Sequence, residues 1–388
     1  MSQTIIEKLL KGAEVEWKPL GEIVKIADNA RRPIKAELRK AGATPYYGAN
    51  NIQDYVQGYT HEGDYVLVAE DGSKSLLNYS VQWACGCFWA NNHVHVIQGN
   101  DKVISRFLFH VLKNMNFLPF LTGGTRAKLT KAELVNIPIP IPPLSVQKEI
   151  VRILDAFTAH TAELTAELNE RKKQYNYYLN RLLTFSDDEV EWKKLGDITQ
   201  TTKNIKWKNN NQHYLYIDLT SVDRENNVVA RTVEISATNA PSRAQKIVEK
   251  DDVIFATTRP TLQRYTIIDD KYSGQIASSG YCVLRAKYKN VLPKWIYYNI
   301  ASNMFLTYVE ANQSGSAYPS ISDAKVKEFI LPIPSIKTQK RIASILDTFN
   351  ALTTSISEGL PKEIELRNKQ YEYYRDQLLN FPKPDLEN

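Results

Sequence analysis

The sequence predicts an α+β fold: two mixed α/β domains separated by two long antiparallel coiled-coil helices, built as a pseudo-twofold tandem repeat. Three observations predict it. Segments recur in order along the chain. Two runs, one central and one C-terminal, place apolar residues at alternating steps of three and four. The stretches before them hold short strand-like runs beside turn residues. At 388 residues there is room for two or three domains, and 43% hydrophobic with 24% charged residues is the balance of an ordinary folded chain.

The repeat sets the boundaries. VEWKPLGEI (Val15–Ile23) returns as VEWKKLGDI (Val190–Ile198), 175 residues on, and GDYVLVA (Gly63–Ala69) returns as DDVIFA (Asp251–Ala256), 187 on. Gly123, Leu129, Leu134, Pro140, Pro142 and Gln147 return as Gly315, Ile321, Val326, Pro332, Pro334 and Gln339, 192 on. QKEIVRILDAF (Gln147–Phe157) matches QKRIASILDTF (Gln339–Phe349), and KQYNYYLNRLLTF (Lys173–Phe185) matches KQYEYYRDQLLNF (Lys369–Phe381), 196 on. An offset that only grows marks one tandem duplication with small insertions. Residues 24–120 and 199–310 share little beyond the one short strand, so each half is a similar frame around a divergent insert. The expected segments are an N-terminal helix at 1–14, mixed α/β domains at 15–143 and 187–335, a central spacer helix at 144–186 and a C-terminal helical region at 336–388.

The first long helix follows the proline-rich Ile137–Leu144, with Ser145 as the expected N-cap. Its seam runs Ile150, Leu154, Phe157, Thr161, Leu164, Leu168, Arg171, Tyr175, Tyr178, Leu182. The second repeats these steps from Ile342, with four extra residues before Arg367 and Tyr371, and Gly359 and Pro361 at that point predict a break or kink. LLKGAEVEW (Leu9–Trp17) parallels LLTFSDDEVEW (Leu182–Trp192), so the first residues are expected to complete the second helix's bundle and close the chain ends together. In the inserts, Tyr65–Ala69, Val253–Ala256, His93–Ile97 and Tyr281–Leu284 read as strands, Phe107–Leu112 and Trp295–Tyr308 as helices, and Tyr46–Asn51 as a turn.

Composition excludes several classes. No apolar run is long enough to span a membrane, and the acidic Glu7 inside the first apolar stretch argues against a secretory signal. Three cysteines make no disulfide framework, which points to a reducing cytoplasm. There is no phosphate-cradling GxxxxGK[ST], no HExxH and no Asn/Asp-Pro-Pro-aromatic site for a methylated base. Cys85, Cys87, His93 and His95 could ligate zinc, yet their spacing is tighter than structural zinc sites use, so no metal is expected. The acid pairs Glu70–Asp71 and Asp251–Asp252 read as solvated loop ends. Nothing here looks catalytic.

The net charge of +6 is mild, but it concentrates: residues 24–130 carry +4 and residues 199–320 carry +5. Two basic blocks suit two contacts with a polyanion. Arginine can read guanine, asparagine and glutamine adenine, and lysine holds phosphate. On that chemistry the candidate double-stranded DNA contacts are Arg31, Arg32, Lys35, Tyr46, Tyr47, Asn50, Lys74, Arg126 and Lys128 in the first insert. In the second they are Lys206, Trp207, Lys208, Arg259, Gln263, Arg264, Tyr265 and Tyr318.

The order of these features, a tryptophan entry segment, a divergent block, a glycine loop, IPIPPL and a QKEIVRILD helix, all twice, resembles the specificity subunit of type I restriction–modification enzymes. TAELTAEL (Thr161–Leu168), RKKQYNYY (Arg171–Tyr178) and the ending FPKP are similar to its IC subgroup. The resemblance implies that the inserts are target-recognition domains, each reading half of a split DNA site. It implies that the helices, through Thr161, Leu164, Leu168, Arg171, Tyr175, Arg367 and Tyr371, space the domains and dock two adenine-N6 methyltransferase (modification) subunits. Restriction/translocase subunits would join through these. S-adenosylmethionine, ATP and Mg²⁺ would bind the partners, and this chain would be non-catalytic. One TAEL copy adds about 6 Å and 40° of helix, so losing or gaining one is expected to change the gap between half-sites. The alternative reading is a stand-alone sequence-specific DNA-binding protein, an anti-restriction decoy or regulator, on the same scaffold.

Overall fold

The computed structural model describes residues 4–124, 127–287, 289–354 and 359–382, in two compact units: Met1–Ala162 with Leu366–Asn388, and Glu163–Glu365. Mixed helices and sheets, doubled along the chain, give the α+β repeat that the sequence predicts.

The first unit opens with α1 (Ile5–Leu10), started by a capping box in which Thr4 and Glu7 each satisfy the other's backbone N–H. Its strands are β1 (Glu16–Pro19), β2 (Val24–Ile26), β3 (Ala41–Gly48), β4 (Asn51–Val56), β5 (His61–Glu62), β6 (Tyr65–Ala69), β7 (Val81–Ala84), β8 (Cys87–Ala90), β9 (Val94–Gly99) and β10 (Pro138–Ile141). Its helices include α2 (Ser105–Lys113) and the first turns of α3 (Leu144–Leu182). The tryptophan segment and the proline-rich exit form one ribbon, β1 against β10, with Trp17 opposite Pro140. Proline cannot donate to a ladder, so it fits this two-stranded edge position. The antiparallel sheet β2-β9-β6-β7 lies beside a second sheet, β4-β3-β8-β5, whose β3–β8 pair is parallel. Alternation along β6 sorts the core: Val66 and Val68 join α1, α2 and α3 residues, and Leu67 joins Val94, Val96 and Phe88.

The second unit repeats this. Its strands are β11 (Glu191–Lys194), β12 (Thr199–Gln200), β13 (Tyr214–Ile217), β14 (Val233–Ile235), β15 (Ala244–Ile247), β16 (Val253–Ala256), β17 (Tyr265–Ile267), β18 (Ile276–Ser278), β19 (Tyr281–Ala286) and β20 (Ile330–Ile333). The ribbon is β11 with β20, placing Trp192 opposite Pro332. The sheets run β12-β19-β16-β17 and β14-β13-β18-β15, again with one parallel pair, β13–β18. The inserts that share so little sequence therefore share their topology strand for strand. Helices α4 (Pro293–Ala301), α5 (Asn303–Asn312) and α6 (Ile336–Thr354) come next, and then α7 (Gly359–Leu379), which ends in the first unit.

Four local expectations change. Tyr46–Gly48 ends β3 and Asn51 opens β4, so the expected turn is a hairpin tip. Trp295–Tyr308 is two helices, because Ser302 stops one and its side chain accepts the Phe305 N–H of the next. Ser145 lies inside α3, whose Val146 and Gln147 N–H groups turn back to Pro143 O. The acid pairs are not simply solvated: Asp252 is fully buried and takes two hydrogen bonds from Arg285, both at 2.8 Å. Near the expected break, α6 is described to Thr354 and α7 from Gly359, whose φ of +78° favours glycine. A Cβ there would sit 2.8 Å from Ala351 O and 2.9 Å from Leu352 O.

Candidate nucleic-acid interface

In the first unit, the loop leaving β6 is clamped to the glycine-rich exit loop. Leu129 N–H donates to Glu70 O (2.8 Å), and Thr122 and Lys128 exchange backbone bonds at 2.9 and 2.8 Å. Asp71 bridges to Lys128. Glu70 accepts Arg31 Nη1 at 2.7 Å and Lys128 Nζ at 2.8 Å. Burial pulls the Glu70 carboxyl upward, but these two hydrogen bonds outweigh it and hold the group below its ordinary value. Asn50 orders the loop from Gly72 to Lys74: its Nδ2 donates to Gly72 O (2.6 Å) and its Oδ1 accepts Lys74 N–H (2.8 Å). Ser73 Oγ donates to Ser75 O and accepts Ser80 N–H.

The second unit builds the same junction. Ile321 N–H donates to Thr257 O (2.9 Å), Ser314 and Ser320 exchange bonds at 2.8 Å each, and Thr258 bridges to Ser320. Arg259 N–H donates to Pro319 O at 2.7 Å. Arg259 and Gln263 both hold φ of +48°, bracketing the turn Pro260–Leu262. Non-glycine residues seldom adopt this conformation, so the surrounding bonds must enforce it. The Arg259 guanidinium lies 4.7 Å over the Tyr318 ring.

The predicted contacts separate into two groups. Arg32, Lys35, Lys74, Lys206, Lys208, Arg259 and Tyr318 are exposed, and Lys128 and Gln263 are half-exposed at the junctions. The others serve the interior. Tyr46 is buried; its hydroxyl accepts Ile34 N–H (3.0 Å) while Arg39 covers its ring at 4.2 Å. Tyr47 packs edge-on to Phe88. Tyr265 is buried against Tyr297, and burial pushes its phenol well up. Arg31 is consumed by Glu70, Val94 O and Asp28 O. Trp207 donates to Ala244 O (2.9 Å) and packs on Tyr214, and Arg264 Nη1 donates to Leu219 O (3.0 Å). Asn50 is spent on its loop. Of these seven, the three tyrosines are buried and the other four, half-exposed, are already engaged by the fold. Arg126 lies outside the described residues.

The cysteine and histidine pairs do not converge. His95 is buried between Asp28 (2.7 Å) and Leu129 O (2.9 Å), His93 bonds Asp71, and Cys85 and Cys87 are exposed. No group of three or more metal-ligating side chains occurs among the described residues.

Beneath each junction one buried glutamine makes the same three bonds. Gln147 is fully buried; its Oε1 accepts Ile104 N–H (2.9 Å) and its Nε2 donates to Lys102 O (3.0 Å) and Pro142 O (2.9 Å). Gln339 does the same with Leu292 N–H (3.0 Å), Asn290 O (3.0 Å) and Pro334 O (2.8 Å). Asp155 holds α2 through Arg106 (2.9 Å) and His110 (2.8 Å), and Asp347 holds α4 through Lys294 (2.5 Å) and Tyr298 (2.6 Å). On the long helices, Phe157 stacks on Tyr374 in the first unit and Tyr178 on Phe349 in the second. Leu164 is buried, Thr161, Leu168 and Tyr175 are half-buried, and Tyr371 packs into the first unit's core. Arg171 and Arg367 make matching bonds to Gln174 and Gln370, both 3.1 Å. In the first unit, α1 buries Ile6 and Leu10 in the core that holds Leu378 and Phe381, and Trp17 Nε1 donates to Pro382 O at 2.9 Å. No described helix is long and apolar enough to cross a membrane.

Comparison with known proteins gives consistent findings. The type I restriction modification DNA specificity domain matches twice, over residues 13–173 and 187–366. A type I restriction enzyme specificity subunit predicted in Haemophilus influenzae is 46% identical, over 98% of this chain and 99% of its own. The EcoR124I/EcoR124II specificity subunit of Escherichia coli is 36% identical over 98% of each. The S subunit of a type I restriction–modification system from M. genitalium aligns over 96% of this chain and 97% of its own, with a TM-score of 0.59 at 14% identity, a likeness of fold alone.

Proposed function

Because the chain belongs to the type I restriction–modification DNA specificity family, we propose that it reads a bipartite duplex site, one half with each mixed α/β domain (15–143 and 187–335). The observation that carries this reading is the junction built twice. The same backbone bonds recur around Glu70 and Thr257, while the side chains displayed there differ: Lys74 and Lys128 in one, Arg259, Gln263 and Tyr318 in the other. One frame with two displays is what two unlike half-sites require.

The helical regions (1–14, 144–186 and 336–388) dock two adenine-N6 methyltransferase subunits, and restriction subunits join through them. Two matching frames, down to the Gln147 and Gln339 bonds, support two copies of one partner. Methyl transfer and cleavage, with S-adenosylmethionine, ATP and Mg²⁺, belong to those partners. The chain contributes recognition, in the cytoplasm. Native mass spectrometry of the complex purified from co-expressing cells tests this reading. Two methyltransferase subunits per chain are expected. Site-specific DNA binding by the chain with no methyltransferase associated would favour a stand-alone DNA-binding protein instead.

A further inference from the structure

A rigid loop rarely leaves a large apolar side chain in water without something to cover it. Among the described residues, the most exposed large hydrophobic side chain of the first unit is Leu77, 76% exposed, and that of the second is Tyr318, 70% exposed. Both sit at the clamped junction. Leu77 caps the loop that leaves β6, which Asn50, Ser73 and Ser75 tie down, with Asn78 N–H donating to Ser75 Oγ at 3.0 Å. Leu76 beside it is also exposed. Tyr318 stands on the exit loop just before Pro319, whose carbonyl takes the Arg259 N–H. The exposed Lys74 belongs to the same loop as Leu77, three residues before it, and Arg259 lies over one face of the Tyr318 ring.

We propose that Leu77 and Tyr318 are wedges that enter the base stack of the bound duplex, one in each half-site. This rests on the DNA-reading assignment above and gives those junctions a second task beside base contacts. An apolar tip held on a preordered loop can displace stacked bases without paying to order itself. In the first half-site Lys74 can neutralise the phosphates of the opened step, and the opening is offset by added contact area. The two chemistries predict different manners of entry. Leu77 can only wedge and fill. Tyr318 has one face under a guanidinium and the other free, so it can stack on a base. A reaction on an adenine needs that base out of the helix, and a neighbouring step already opened lowers the cost of extruding it.

The experiment uses the full chain assembled with its methyltransferase subunits, and a duplex carrying the methylated site mapped in the host. 2-Aminopurine is placed in turn at each position of either half-site. The wild-type complex is expected to raise the fluorescence at one step in each half. Leu77→Ala should abolish the rise in one half alone, and Tyr318→Ala in the other half alone. Tyr318→Ala should weaken binding by about 5- to 150-fold, the range of losing one stacked base. Both residues are exposed, so neither variant should disturb folding. If the wild type binds the site and opens no step, or if both variants open both steps normally, the wedge assignment is wrong while DNA reading stands. If a variant sheds a methyltransferase subunit and still opens both steps, the tip is a protein contact and the proposal is overturned. If the wild-type complex shows no preference for the mapped site, the DNA-reading assignment itself fails.

Discussion

Replacing Gln339 with leucine keeps the volume of a fully buried side chain and removes every hydrogen bond it makes. Three groups lose their partner: Leu292 N–H and the carbonyls of Asn290 and Pro334. A buried backbone group left unpaired costs about 1 kcal/mol or more; the bond to Pro334 O is buried, while those to Leu292 N–H and Asn290 O are partly open to water, so the loss should be about 1–3 kcal/mol. For a unit of this size, 1 kcal/mol moves the melting point by about 2–4 °C, which makes the shift about 2–12 °C. Gln147→Leu strands Ile104 N–H and the carbonyls of Lys102 and Pro142 and should cost as much, in the first unit instead. Thermal unfolding with hydrogen exchange read on peptides of each unit separates the two. A loss below about 1 kcal/mol for either variant, or destabilisation spread evenly over both units, would refute the view that each glutamine staples its own helix to its own domain.

Further outcomes rest on the same geometry. Lys74→Ala should weaken binding to all sequences alike and reduce the slope of log affinity against log salt by about 0.9, measured by fluorescence anisotropy; an unchanged slope removes Lys74 from the phosphate contacts. Arg259→Ala should relax base choice at one position by about 1–3 kcal/mol, read from a randomised-site selection, and leave the other half-site as it was. Burial holds the His61 and His110 imidazoles below their ordinary value near 6.5. The unfolded chain therefore takes up these protons first. The stability they contribute is complete above about pH 6.5 and is lost as pH falls through their native values. Hydrogen exchange at pH 7.5 and 5.5 should show the first unit weakening; an equal change in the second, whose one histidine is the exposed His213, would contradict this. Deleting one TAEL copy from Thr161–Leu168 shortens the helix by about 6 Å with about 40° of rotation. At about 3.4 Å per base pair, the mapped gap between half-sites should then shrink by about one to two base pairs, with both half-sites unchanged.

Much of the frame was legible in the sequence because duplication exposes whatever must be kept. Gln147 and Gln339 stand out as a pair from their spacing alone, and Asp155 and Asp347 lie inside matching segments. Their partners do not: Arg106 and Lys294, or His110 and Tyr298, differ in chemistry and meet the carboxylate only in three dimensions. The strand β10 was hidden because alternating prolines read as an exit rather than an edge. The shared topology of the inserts was invisible, since short strands specify alternation and burial and leave the residues free. Composition named Lys74, Arg259 and Tyr318, which the fold leaves exposed, in one set with Tyr46, Tyr47 and Tyr265, which are aromatic for the core's sake. Leu76 and Leu77, adjacent leucines in the polar run Asp71–Ser80, are a readable signal that charge-based reasoning passes over.

Single-molecule sequencing of adenine methylation in host cells, with and without the gene for this chain, tests the central claim most directly. Two specified half-sites separated by an unspecified gap of fixed length should carry N6-methyladenine when the gene is present and lose it when the gene is deleted. A methylome unchanged by the deletion, or a lost site that is one continuous sequence, would contradict the account.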